Sequence, residues 1–325
     1  MARHISIDLG TSNTVISEKN KGVILCQPTV AAIDNSTQRI VAVGNEAKEL
    51  LGKTPKEVSV ISPVKSGVVA DFDATCAMLK VFLSSILPKG AIRPKATVCV
   101  PTDLTQVEKQ TLLEAVSRSG ARFSCILESP IASLIGAGVQ VTQPEGNMIL
   151  DIGGGKTCAA VVSFGGIVSS ACTTSAGNEM DKQIANYIKK NHAVLIGEKT
   201  AEEIKIKIGT AHPDTHEKSL TVMGRCEKTG LPRELSVTSA EVYEAILPTL
   251  LKIADTVAEA LQNSPAELIS DLSTKGILLC GAGAKLSGLE QFLENNLGIG
   301  ATLLKEAQIC SAIGASANTS AGAPQ

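Results

Sequence analysis

Along the chain, the alternation of apolar and polar positions is organised around one stretch, Asn147 to Val162, NMILDIGGGKTCAAVV. An apolar run carries Asp151 to its end, glycines 153 to 155 follow, and a second apolar run returns from Cys158. This pattern predicts a β-hairpin whose tip is nearly bare backbone. Glycine lets amide N–H groups approach a ligand closely, so such a tip can cradle phosphate oxygens while the carboxylate holds a hydrated metal. An ordinary glycine-rich turn has the same short signature. Gly155-Lys156-Thr157 does not end a P-loop, because Leu150 stands where that motif requires glycine.

The design occurs twice. Ile5 to Ile16 again reads as strand, Asp8 at the strand end, a Gly10-Thr11 turn with Ser12 and Asn13, and a returning strand. A third turn, Gly281-Ala282-Gly283, follows the apolar strand Ile277 to Cys280; it fails the dinucleotide fingerprint because Leu286 replaces the last glycine. Two Asp-ended hairpins half a chain apart, with a third turn near the C-terminus, predict two similar domains closing on one nucleotide.

Strand and helix alternate in the remainder, as in an α/β domain with helices packed on a sheet. Helical spacing from Asp71 to Leu87 puts Phe72, Cys76, Leu79, Phe82 and Leu83 on one face. Thr105 and Glu108 form a capping box for a helix ending before Gly120, and Thr200 and Glu203 predict a second. Pro130 opens a small-residue helix. Two strand-like segments, Ser219 to Met223 and Arg233 to Val237, predict a small inserted subdomain. The periodic stretch Val242 to Leu261 is expected to kink or break at Pro248, which lacks an N–H. The small, polar C-terminal residues predict a disordered tail.

Length permits two domains with a substantial core. Apolar residues make up 44% of the chain, yet it contains no Trp, so the core is expected to be aliphatic. Lys and Arg total 30 against 32 Asp and Glu, and neither a basic block nor an aromatic platform is present, which argues against nucleic acid as a partner. The nine cysteines include no CxxC pair, and with only four His a zinc site is not expected. They read as reduced core thiols of a cytosolic protein. A strand beginning near Ile5 leaves no room for a signal peptide, and no apolar run approaches the roughly 20 residues of a membrane span.

Taken together, IDLGTSNT, GVVADFD (Gly67 to Asp73), NMILDIGGGKT, FGGIVSS, GNEMD (Gly177 to Asp181) and LIGEKTAEEIKIKIG (Leu195 to Gly209) resemble the MreB/Mbl family of bacterial actins. DLGT and DIGGG alone fit the whole actin, Hsp70 and sugar-kinase superfamily; the segment from Gly177 to Gly209 is more specific. The resemblance implies an actin-like, ribonuclease-H-like α/β fold with two similar domains around a nucleotide cleft. Its expected boundaries are a first domain over 1–138 with a small subdomain at about 31–63, and a second over 139–304 with one at about 181–238. A helix over 305–317 returns to the first domain, and 318–325 form the tail.

In this scheme the cofactors are ATP and Mg²⁺. Asp8 and Asp151 serve the metal, through water because Mg²⁺ dehydrates reluctantly. Thr11, Ser12, Asn13, Gly153, Gly154 and Gly155 meet phosphates. The resemblance places Glu202 at the ribose and Lys205 against the base, although the same pair reads equally as a solvated i,i+3 ion pair. Gly281, Ala282 and Gly283 approach the nucleotide, Ala282 replacing a family glycine. Two positions depart from the family. Its Glu-Glu-Pro is here Glu128-Ser129-Pro130, and a neutral Ser is a far weaker base than a carboxylate. Lys156 replaces a Thr that assists hydrolysis; an ammonium there neutralises phosphate charge or competes with the metal, or else points into solvent. ATP binding with slow or negligible hydrolysis is therefore expected.

The resemblance further implies filaments of the protein itself, a cytoplasmic location at the inner face of the membrane, and guidance of cell-wall synthesis through membrane proteins of that system. The segment Leu87-Pro88-Lys89-Gly90-Ala91-Ile92-Arg93 offers few inserting groups, so membrane contact is expected to be weak or indirect. Other readings remain: a nucleotide-locked partner co-assembling with a paralogous actin, a superfamily small-molecule kinase, or an Hsp70-like ATPase without its peptide-binding half.

Overall fold

The computed structural model describes residues 3–88, 90–212 and 218–317. The predicted tail over 318–325 and Lys89 of the proposed membrane segment lie outside the described residues. The chain divides into two compact units. The first comprises Met1–Glu145, Val162–Val168 and Gln308–Gln325; the second comprises Gly146–Val161 and Ser169–Ala307.

The first unit opens with an antiparallel meander of β1 (His4–Leu9), β2 (Asn13–Glu18) and β3 (Gly22–Pro28). Next come β4 (Ala31–Asp34), β5 (Ile40–Val43), helix α1 (Gly44–Leu50) and β6 (Val58–Ile61), whose strands form a separate sheet ordered β5–β4–β6. Two short strands, β7 (Val64–Lys65) and β8 (Val68–Val69), lead into α2 (Phe72–Ile86). Then follow β9 (Lys95–Val100), α3 (Gln106–Arg118), β10 (Arg122–Glu128) and α4 (Ser129–Gly136). Strand β9 runs parallel to both β1 and β10, so the main sheet is ordered β10–β9–β1–β2–β3.

The second unit repeats that order. Its meander is β11 (Asn147–Ile152), β12 (Thr157–Ser163) and β13 (Gly166–Thr173). Helix α5 (Gly177–His192), β14 (Val194–Leu195), α6 (Glu198–Ile208), β15 (Ser219–Cys226) and β16 (Pro232–Thr238) come next, the three strands forming a small sheet. After α7 (Ser239–Gln262) and α8 (Ala266–Lys275), β17 (Ile277–Cys280) leads to a 3₁₀ turn at Gly283–Lys285, α9 (Leu289–Leu297) and β18 (Ala301–Leu303). Parallel pairing of β11 with β17 and of β17 with β18 gives the order β13–β12–β11–β17–β18. Each unit is thus a three-strand meander extended on the side of its first strand by two parallel strands.

Both cores are aliphatic, as composition requires. Ile5, Ile7 and Leu9 of β1 alternate inward and pack with Met78, Leu79, Phe82 and Leu83 of α2. In the second unit Met148, Leu150 and Ile152 of β11 share a core with Ile246, Leu250 and Ile253 of α7. Each such side chain removed from water contributes about 1.5–3 kcal/mol. The buried face of α2 also includes Ala74, Thr75 and Met78, while Phe72 and Cys76 are half-buried at its margin. The last helix, α10 (Cys310–Ala317), belongs to the first unit and packs its small residues on α4.

The Thr105–Glu108 capping box forms with both of its bonds. Three expectations are corrected. Pro248 does not break α7, which runs unbroken over 24 residues. Pro248 and Glu244, the residue whose carbonyl loses its partner, are both on the exposed face, where the missing bond leaves a group open to solvent and not buried in the core. The box predicted at Thr200 and Glu203 is absent: α6 begins at Glu198 after Gly197, and Glu203 pairs with Lys207 one turn on, at 2.6 Å. The box missed in the sequence is Thr238 with Glu241, at the start of α7. Finally, Cys158 and Cys172 are not reduced thiols. Neighbouring strands β12 and β13 bring their Cα atoms to 4.2 Å and the two are joined as a disulfide, while the other seven cysteines are not disulfide-bonded.

Candidate functional site

Parallel strands place the candidate residues at matching sheet edges. In the first unit β1, β9 and β10 all end on one side, with Asp8 opposite Cys99 and Glu128 opposite Val100. Asp8 therefore shares an edge with Ser129, the first residue of α4. In the second unit Asp151 lies opposite Cys280, so Asp151 and the turn at 281–283 share the equivalent edge. Ligands in α/β sheets bind outside such carboxyl ends.

The turn after β1 is built from backbone and short polar groups. Gly10 N–H donates to Asn13 O at 3.1 Å, and Thr29 N–H donates to Ser12 O at 2.9 Å. The Thr11 hydroxyl accepts from Gly67 N–H at 3.1 Å, tying the turn to the GVVADFD segment. Asn13 is exposed at the start of β2. Burial pushes the Asp8 carboxyl above the ordinary carboxylate range; a hydrogen bond donated by the Ser311 hydroxyl of α10 opposes that shift. Ser311 is a site residue that sequence reasoning missed, since nothing local in Cys310–Ala317 points to a strand 303 residues away.

In the second unit the central turn closes through Gly153 N–H to Lys156 O at 2.9 Å. Its outer side is bonded to the first turn of α5: Gly177 N–H donates to Gly153 O at 3.1 Å, and Asn178 N–H to Gly154 O at 2.7 Å. The Lys205 ammonium on α6 donates to Gly177 O at 2.8 Å and stands 2.7 Å from the Asp181 carboxylate. Because α6 starts at Glu198, Glu202 and Lys205 occupy its second turn, both partly buried. Lys156 is partly buried as well. The turn at 281–283 packs directly on β11: a Cβ on Gly281 would fall 2.3 Å from Ile152 O and 2.5 Å from Asp151 Oδ1.

Two sheets of the same order, each delivering an aspartate and a small-residue turn at the carboxyl edge of its first strand, define an actin-like protein. The chain belongs to the MreB/Mbl family of bacterial actins, the MreB/Mbl protein family matching residues 2–322. It is 42% identical over 314 residues to the cell shape-determining protein Mbl of Bacillus subtilis, spanning 96% of this chain and 94% of that protein. It is 40% identical over 316 residues to the cell shape-determining protein MreB of Escherichia coli K12, spanning 95% and 91%. Among solved structures, MreB5 of Spiroplasma citri bound to AMPPNP superposes with a TM-score of 0.94 at 31% identity, covering 98% of this chain and 96% of that one. MamK in a double helical filament matches at a TM-score of 0.82 and 20% identity over 98% of each chain, a likeness of fold alone. No described helix is long and apolar enough to cross a membrane.

Proposed function

We propose that this chain binds ATP with Mg²⁺ and assembles into filaments that act in cell-shape determination. The observation that carries the reading is the repeated strand-end aspartate with its adjoining turn, present in both units at equivalent sheet edges. The related MreB5 has been solved with AMPPNP and with ADP, which supports a nucleotide as ligand. Asp8 and Asp151 supply hard carboxylate oxygens suited to Mg²⁺, and the enclosure that disfavours a bare charge at Asp8 fits a carboxylate that works beside a cation. Bound there, the ion would neutralise phosphate charge. Thr11, Ser12, Asn13 and Gly153 to Gly155 would meet the phosphates, Gly281, Ala282 and Gly283 would approach the nucleotide, and Glu202 would accept from ribose hydroxyls. The aliphatic stem of Lys205 would lie against the base while its ammonium stays with Asp181.

Hydrolysis would be slow, because Ser129 and Lys156 stand where the family has a carboxylate and a hydroxyl for the attacking water. That substitution also supports a second reading, a nucleotide-locked subunit that joins the filaments of a paralogous actin. Contact with the inner membrane face would be weak or indirect: within 87–93, Ile92 is 67% exposed and Arg93 can meet anionic lipid. Membrane proteins of cell-wall synthesis would be the partners guided, and nucleic acid would not be one.

Pelleting with ATP, with a non-hydrolysable analogue and without nucleotide tests the reading. Filaments with either nucleotide and none without, alongside little phosphate release, are expected. Pellets indifferent to nucleotide would overturn it, and filaments only in the presence of a second actin would favour the co-assembling subunit.

A further inference from the structure

Two helices of the second unit meet around one ammonium. The Lys205 ammonium donates to the Gly177 carbonyl and forms an ion pair with the Asp181 carboxylate; these two groups are separated by one turn of α5 and so lie on one face, where a single ammonium reaches both. The side chains of Lys205 and Asp181 are only 16% and 13% exposed. An ion pair so enclosed is a fixed strut between α5 and α6, unlike solvated surface pairs that contribute little.

The same turn of α5 grips the central glycine turn. The first amides of a helix have no partner within it; here those of Gly177 and Asn178 bond the carbonyls of Gly153 and Gly154. Those carbonyl oxygens are thereby occupied and not free to oppose an anionic ligand. A chain of direct contacts thus runs from α6, which carries Glu202, through Lys205 and the first turn of α5 to Gly153 and Gly154.

We propose that Lys205 and Asp181 are positioning residues for the phosphate-binding turn, coupling the helix that recognises the ribose to the backbone that meets the phosphates. The proposal deepens the nucleotide-binding reading and rests on it. Removing either charge loosens the first turn of α5, and the glycine turn loses its fixed geometry although no phosphate contact has been deleted. Lys205 and Asp181 act as one unit, so their effects do not add.

The test uses the full chain as wild type, Lys205→Met, Asp181→Asn, the double variant and Lys205→Arg. Amide hydrogen exchange is followed in the nucleotide-free protein over residues 153–156 and 177–181, and affinity is measured with a fluorescent ATP analogue and Mg²⁺. Each single loss is expected to speed exchange in both segments at least tenfold while α9 keeps its protection. Each also weakens binding at least tenfold, the double variant is no worse than the weaker single, and Lys205→Arg recovers part of both signals. Unchanged exchange overturns the proposal, as does weak binding in Lys205→Met beside normal binding in Asp181→Asn, which would make the Lys205 ammonium itself, and not only its stem, a direct nucleotide contact. If Lys205→Met fails to fold, Asp181→Asn and Lys205→Arg carry the same comparison. A wild type that binds no nucleotide sinks the functional reading, while exchange in the nucleotide-free chain still decides whether the strut holds the turn.

Discussion

The hydroxyl of Ser311, in the last helix, donates a hydrogen bond to the carboxylate of Asp8, near the end of the first strand. The same helix accepts at Ala312 O from Ser6 at 2.6 Å and from Ser17 at 2.7 Å, so α10 is bonded to both strands of the first hairpin. Burial nevertheless raises the Asp8 carboxyl above its ordinary range. The folded chain then takes up a proton more readily than the unfolded chain, and a charged Asp8 costs stability that appears as pH rises from the unfolded value through the folded one. Asp8→Asn removes that cost. In the nucleotide-free protein at pH 7.5 it should raise the Tm by a few degrees, about 2–4 °C for each 1 kcal/mol in a unit of this size. The gain should shrink as pH falls towards the unfolded value of about 4 and vanish below it, where the wild-type carboxyl is neutral in both states. Calorimetry across that range decides it, and a lower Tm for Asp8→Asn at pH 7.5 contradicts the account. The same variant should lose Mg²⁺-dependent nucleotide binding.

Gly281 has φ +84°, and a Cβ there would clash with both Ile152 O and Asp151 Oδ1. Left-handed strain at a non-glycine residue costs about 1–3 kcal/mol before the clash is counted. Gly281→Ala should therefore destabilise the chain by at least that amount in urea unfolding, and it should weaken nucleotide binding because the displaced atom belongs to Asp151. Gly300→Ala is the control. That position has neither a positive φ nor any atom within 4 Å of the added carbon, so its stability should stay within about 0.5 kcal/mol of wild type.

Why Gly281 is glycine was only half legible in the sequence. Strand, glycine and strand-end aspartate are local signals, so the hairpins, the third turn and the Thr105 cap could be read from consecutive residues, while the actin-like fold followed from the resemblance of several such motifs to one family. What could not be read was set by contacts between distant segments. Ser311 reaches Asp8 across the whole chain, and the Gly281 turn answers to β11 as well as to a ligand. Asp181 lies in the GNEMD segment, but its partner Lys205 is on another helix, and in sequence the nearer pairing for Lys205 is Glu202 three residues before it. The effect of Pro248 depends on which helix face meets water, and the state of Cys158 on the strand that brings Cys172 beside it, and neither is a property of consecutive residues. Thr200 failed as a cap because the helix starts earlier, at Glu198.

Close approach of α10 to α4 depends on Gly314, where a Cβ would fall 1.8 Å from Ala132 O and 2.6 Å from Gly136 N. The backbone of a packed helix cannot yield as a side chain would. Overpacking of this kind costs about 1–3 kcal/mol or more. Gly314→Ala should lower stability accordingly and, by shifting α10, withdraw Ser311 from Asp8. The two effects separate in Ser311→Ala, which leaves the helix packing intact and removes only the hydrogen bond. Gly314→Ala should therefore be the less stable of the two in urea; equal midpoints would mean that the helices can separate freely.

Cys226 ends β15 at a tight turn, where the Thr229 hydroxyl and the amides of Thr229 and Lys228 are the donors that act on its sulfur. Donors aimed at sulfur favour the thiolate, and they lower the Cys226 thiol to about 7. Burial instead raises the thiols of Cys26 and Cys76. At pH 7.5 the thiolate fraction is therefore larger at Cys226 than at Cys26 or Cys76, and the thiolate is the species that an alkylating agent captures. Iodoacetamide at limiting concentration should label Cys226 ahead of Cys26 and Cys76, with a rate that reaches half its maximum near pH 7. Thr229→Val removes one donor and should move that midpoint upward towards the free-thiol value of about 8.5. Peptide mapping after timed quenching reads both results. Preferential labelling of Cys26, or a midpoint indifferent to Thr229→Val, would show that the turn does not hold the sulfur as an anion.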